Sequence, residues 1–134
     1  MFDTSAYAHV IIALNQPTIK GDMEILEKNG FHVLRELEGM YKGVKENSYL
    51  IPCYNLMQYL TLLDIAKDYK QESVLYLSRE SIRHNMRASI IMVDEPTKQP
   101  ITGLFRCVGM HTPNEDSWTL DKELHEYYTI ENIQ

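Results

Sequence analysis

The sequence predicts a single α+β domain with the strand and helix order of a ferredoxin-like sandwich. Two observations carry this. A short β-branched run at the start, YAHVIIALN (7–15), alternates along the chain with two longer segments of helical spacing. The second half then holds strand-like runs with no further helix, giving the order β-α-β-α-β-β-β, close to a split β-α-β unit. Length agrees: 134 residues make one ordinary domain, with 44% hydrophobic residues to fill a core.

Each element has its own signal. Residues 7–15 read as a buried central strand, ended by Gln16-Pro17 because proline cannot serve an interior ladder. From Asp22, a candidate cap, Ile25, Leu26, Val33, Leu34 and Leu37 recur at helical spacing. Gly30 is positioned to split this helix in two and Gly39 to end it. Gly43 with Lys45-Glu46-Asn47 suggests a turn, and Ser48 to Cys53 a strand with Pro52 at its edge or end. Residues 55–70 form the clearest helix, with Leu56, Tyr59, Leu60, Leu63 and Ala66 on one face and Asn55/Gln58 at capping-box spacing. Ser73–Leu77, Ala88–Val93 and Gly103–Met110 read as strands, with loops at 78–85 and 95–102. The segment from Thr112 is polar and carries Trp118, Tyr127 and Tyr128. In such a sandwich two helices cover one sheet face, and packing of several copies around an axis would cover the other.

Charge and motifs exclude several functions. The net charge is −6, from 19 acids and 13 bases, which argues against a nucleic-acid partner. The densest basic group is Arg79, Arg83, His84 and Arg87, read as a solvated loop. The N-terminus has no basic region ahead of its apolar run, and no stretch approaches the roughly 20 residues of a membrane span, so a soluble cytoplasmic protein is expected. Cys53 and Cys107 fit no zinc or redox spacing and read as buried thiols. His9 alternates with apolar residues and reads as a satisfied core or interface histidine; the five histidines show no metal-ligand pairing, so no metal is expected. There is no dinucleotide fingerprint, phosphate loop, zinc-protease helix or nucleophile elbow. What remains is polar residues at element junctions: Tyr41 and Glu46 around one turn, and Gln71, Glu72 and Ser73 where the long helix meets the next strand. By themselves Glu46 and Glu72 read first as solvated surface acids.

The chain resembles the small bacteriophage S-adenosylmethionine lyases, formerly called hydrolases. AYAHVIIAL (6–14) is similar to the family's opening strand, and LRELEGMY (34–41) to its leucine-arginine helix closing in Gly-x-Tyr. KENSYLIPC (45–53) resembles its acidic turn and cysteine-ended strand. Leu60 to Leu77 resembles its long helix, aromatic residue, Gln-acid pair and Val-Leu strand. The resemblance covers about residues 6–93, and the tail after Met110 matches poorly. It implies a PII-like ferredoxin-fold homotrimer with active sites between subunits and no cofactor. It also implies cleavage of S-adenosylmethionine to methylthioadenosine and homoserine lactone, which would lower the pool used by host restriction and methylation. Tyr41, Glu46 and Glu72 become the catalytic candidates, with an aromatic face for the sulfonium and a carboxylate for the ammonium; Gln71 and Ser73 become substrate-binding candidates. Three other readings stay open: a lyase for a nucleotide-conjugated S-adenosylmethionine, a PII-like nucleotide-binding module without turnover, and a non-enzymatic acidic inhibitor.

Overall fold

A computed structural model describes residues 2–79 and 86–132, with Arg79 and Asn132 as backbone only. The elements are β1 (Ala8–Ile12), α1 (Ile19–Lys28), β2 (Arg35–Tyr41), β3 (Val44–Cys53), α2 (Leu56–Asp68), β4 (Ser73–Arg79), β5 (Met86–Met92), β6 (Ile101–Gly109), β7 (Trp118–Asp121) and β8 (Glu126–Asn132). The strands close into an eight-stranded barrel in the order β1-β3-β2-β7-β8-β6-β5-β4, with every pair antiparallel.

The ferredoxin-like, PII-like sandwich is therefore overturned. The four strands linked by the helices do lie side by side, as β4-β1-β3-β2. They form half of a closed wall instead of an open sheet, because four more strands bridge β4 back to β2. A closed barrel has no free strand edge, so the open sheet face that packing of several copies was expected to cover does not exist in that form.

The largest local error lies at 33–41. Gly30, at φ +84°, ends the chain's turn out of α1, and residues 35–41 are strand, not helix. In RELEGMY the decisive period is two: Leu37 packs inside the barrel while Met40 packs outside. Gly39, expected to end a helix, is mid-strand opposite Glu46. The turn falls at Lys42-Gly43, both at positive φ, the two-residue hairpin geometry that favours glycine. Lys45-Glu46-Asn47, expected in that turn, belongs to β3. Pro52 lies past the end of the β2 pairing, where a missing N–H breaks no bond to that neighbour.

Both helices lie on one outer flank. Thr18, not Asp22, caps α1, its side chain accepting from the Gly21 N–H. Asp22 is buried: its Oδ1 accepts from the Gln16 N–H at 3.1 Å and its Oδ2 from the Tyr49 hydroxyl at 2.5 Å. Asn55 caps α2 as expected, and Gln58 Oε1 accepts from the Tyr54 N–H. The buried face of α2 is Leu62, Leu63, Ile65 and Ala66, whereas Leu56 and Leu60 are exposed. These residues pack on the outward side chains Val10, Ile12, Tyr49, Ile51, Val74 and Ile91. A second cluster, Ile11, Leu37, Leu50, Leu77, Met86, Ala88 and Phe105, fills the barrel interior. Cys53 is buried as expected, but Cys107 is exposed, and both are free. His9 is buried, and its Nε2 accepts from the Asp3 N–H at 2.9 Å. No helix is long and apolar enough to cross a membrane among the described residues.

Candidate active site

Strand alternation decides what enters the barrel. On β3, Leu50 is an interior residue, so Ser48 and Glu46 share its face. On β4, Leu77 and Leu75 place Ser73 inside, and on β2, Leu37 places Gly39 and Tyr41 there. An eight-stranded barrel has room for side chains or for one small ligand. One end of this interior is filled by Leu37, Leu50, Leu77, Met86 and Phe105. At the other end the inward positions are small (Ala13, Gly39, Ser48 and Ser73), and a cavity of about 470 Å³ opens there. That volume suits a small-molecule site, typically about 300–1,000 Å³.

The cavity walls have three kinds of surface. Ile11, Val74, Leu75, Ile90 and Ile130 are apolar. Phe105 and Tyr128 stack face to face, with centroids 4.8 Å apart and planes within 3°, where the cavity meets the packed interior. Burial, and then the nearby Glu126 carboxylate, push the Tyr128 phenol well above its usual range, so it remains protonated at neutral pH. Its hydroxyl donates to Glu126 Oε2 at 3.3 Å. The third surface is acidic. Glu46 stands on β3, and Glu115 and Asp116 lie on the segment that crosses from β6 to β7 beside Trp118. No lysine, arginine or histidine lines the cavity among the described residues, and none of these three acids joins an ion pair there.

Three of the five residues singled out from the sequence meet at this cavity: Tyr41, Glu46 and Ser73. Tyr41 is at the rim, with the Lys42 ammonium 5.2 Å from its ring centroid, so one cation already occupies part of its aromatic surface. Glu46 is half-buried, opposite Gly39. Gln71 and Glu72 are not among the lining residues. The Gln71 side-chain amide donates to the Tyr69 carbonyl at 3.2 Å, and Glu72 is exposed in the turn before β4.

Sequence reasoning missed Ser48, Phe105, Trp118, Thr119, Tyr128 and the acids Glu115 and Asp116. Ser48 is only 5% exposed, yet its hydroxyl has no hydrogen-bond partner among the described residues and faces the cavity. It lies two residues beyond Glu46, so a strand at 44–48 would have put both on one face. The tail residues gave only a short, polar pattern.

The described parts of the basic group Arg79, Arg83, His84 and Arg87 do not line this cavity. Arg83, His84 and the Arg79 side chain fall outside the described residues. Arg79 pairs with Met86 at the end of β4 remote from Ser73, about 20 Å along the strand. Arg87 is exposed and does not line the cavity. No group of three or more His, Cys, Asp or Glu side chains able to hold a metal occurs among the described residues.

Comparison with known proteins adds one match. The family model described as S-Adenosylmethionine lyase family matches residues 15–131, including the C-terminal strands that form half the barrel wall. No curated protein matches the chain significantly.

Proposed function

Because this chain belongs to the S-adenosylmethionine lyase family and is an enzyme of that class, we propose that the barrel cavity is where it converts S-adenosylmethionine to methylthioadenosine and homoserine lactone. The observation that carries this reading is a ligand-sized, largely apolar cavity whose charged lining among the described residues is acidic. Such a lining suits a cation and offers nothing to a phosphate.

The reaction needs little covalent help from the protein. A carboxylate oxygen of the substrate attacks its own γ-carbon. The carbon–sulfur bond breaks, and its electron pair goes to sulfur, leaving a neutral thioether and a five-membered lactone. No proton moves. In the transition state the carboxylate and sulfonium charges cancel, so a low-dielectric surround favours it over the fully charged ground state. Ile11, Leu75, Ile90 and Ile130 supply that surround. The remaining task is to hold the methionine chain bent, with oxygen in line behind carbon.

Glu46 binds the substrate ammonium and so fixes the end of the chain that must fold back. Ser48 and Ser73 donate to or accept from the amino-acid or ribose groups. Tyr41 offers its aromatic face to the sulfonium once Lys42 swings aside. Glu72 and Gln71 act at the rim, on whatever part of the substrate extends past Ser73. A homotrimer and a cytoplasmic setting, where this substrate is made, complete the proposal; light scattering reports the former.

The test is direct. Purified protein is incubated with S-adenosylmethionine and followed by NMR. Methylthioadenosine appearing with homoserine lactone ahead of homoserine is the expected result. Homoserine formed directly, carrying solvent oxygen from the first turnover, would replace the intramolecular route with hydrolysis. Glu46→Gln is expected to lower kcat/KM by about 10²-fold, the scale of one lost charge-assisted contact of about 3 kcal/mol. Unchanged turnover removes Glu46 from the site.

A further inference from the structure

We propose that Glu115 and Asp116 are specificity determinants that select the site's ligand by net charge, admitting the cationic sulfonium and rejecting phosphate-bearing adenosyl conjugates. This deepens the lyase reading and rests on it for the identity of the substrate. The two acids sit on the segment between β6 and β7, which starts at a hydrogen bond from Thr112 Oγ1 to the Tyr127 hydroxyl, 3.0 Å. They border the same cavity as Glu46. Both are exposed and therefore hydrated.

Charge accounting around the mouth supports this. Three carboxylates face the cavity with no cation among its lining residues. On the outer side of β2, a second cavity of about 400 Å³ is also bordered by Glu115 and Asp116. Its lysine, Lys45, lies 3.5 Å from Glu38 and is compensated there. Lys42 lies over the Tyr41 ring at the rim. The field at the mouth is therefore negative. A separate observation points to a polar guest: Ser48, 5% exposed, turns its hydroxyl to the cavity with no partner among the described residues.

The substrate and its relatives differ in the property this field reads. At neutral pH S-adenosylmethionine carries a sulfonium, an ammonium and a carboxylate, for one net positive charge. The thioether S-adenosylhomocysteine is net neutral, as is the product methylthioadenosine. A nucleotide conjugate adds negative phosphate. A single-sign cleft raises the local concentration of the opposite ion and speeds its arrival by about 10- to 10³-fold, an advantage that salt erases. The same acids give no advantage to the neutral thioether product, which leaves freely.

The experiment compares the wild-type chain, the double variant Glu115→Gln/Asp116→Asn, and Glu27→Gln, an exposed position on α1, as control. Turnover of S-adenosylmethionine and of an adenylylated S-adenosylmethionine is measured from about 0.01 M to about 0.3 M salt. Calorimetry measures binding of S-adenosylmethionine and S-adenosylhomocysteine over the same range. For the wild type and Glu27→Gln, kcat/KM is expected to fall about tenfold with salt, mostly through KM; for the double variant, about threefold or less. The preference for the sulfonium over the thioether should shrink in parallel, and the conjugate should react at least about 10²-fold more slowly than the free substrate. Equal salt slopes for wild type and double variant, or a conjugate processed as fast as free substrate, would overturn the proposal. A wild type that binds but turns nothing over fails the lyase reading instead, and the calorimetric comparison then decides charge selection alone.

Discussion

Gly39→Ala separates the demands of the fold from those of the site. A Cβ added at Gly39 meets Glu46 Cγ at 3.7 Å, the Glu46 carbonyl at 3.8 Å and Ser48 Oγ at 3.9 Å, all ordinary contacts. Nothing in the strand needs to move. Glycine inside a strand is about 0.5–1 kcal/mol worse than alanine, chiefly through the freedom it has when unfolded. For a chain of 134 residues, the unfolding entropy converts that gain to about 2–4 °C in Tm. The added methyl enters the cavity between the two side chains proposed to hold the substrate's amino-acid end. Crowding a fitted site costs about 1–3 kcal/mol, or about fivefold to a hundredfold in kcat/KM. Differential scanning fluorimetry and initial rates of methylthioadenosine formation read the two quantities on one preparation. A stabler protein with unchanged kcat/KM would show that substrate does not lie against Gly39, Glu46 and Ser48. A Tm lowered by several degrees would refute the local geometry itself.

Three further outcomes follow from the packing. At Gly103 an added Cβ would stand 2.5 Å from the Glu131 carbonyl oxygen and 2.6 Å from Ile130 Cγ2, so Gly103→Ala must push β6 and β8 apart; urea denaturation should show a loss of about 2–4 kcal/mol, and wild-type stability would contradict the strand spacing. Tyr49→Phe leaves the buried Asp22 Oδ2 without its donor, a loss of about 1–3 kcal/mol by the same assay; an unmoved midpoint would mean that this bond contributes nothing net. In a thiol titration at pH 8, Cys107 should react at once and Cys53 only after unfolding, since burial pushes the Cys53 thiol up to about 12 and keeps it neutral and shielded; two fast thiols would place Cys53 at the surface.

Much of the local structure was legible because it was locally determined. The β-branched run of β1, the Asn55 cap and the existence of α2 follow from short-range rules and stand where those rules put them, although the buried face of α2 is rotated to Leu62, Leu63, Ile65 and Ala66. β2 was hidden because Glu, Leu and Met are good helix formers, and its partners lie across β3 and at β7. The β7 and β8 segments read as polar tail because their inward residues include Thr119 and Asp121, polar side chains that a barrel end tolerates and a sheet core would not. Barrel closure, the property that creates the cavity, rests on β2–β7 and β1–β4 pairings that no window of sequence contains. Tyr41, Glu46 and Ser73, singled out at element junctions, do line the cavity, whereas Gln71 and Glu72 do not. Glu115 and Asp116 were not, because their meeting with Glu46 exists only after closure.

The pairing of Leu37 with Asp121 spans most of the chain, and β8 is held between β6 and β7. Contacts of such long sequence separation form slowly and late. A ribosome releasing this polypeptide must therefore deliver nearly all of it before the wall can shut, so a nascent chain already carrying Glu46 and Ser73 has half a vessel and nothing to hold. If the cavity is the site, activity begins only once β7 and β8 have paired and shut the wall.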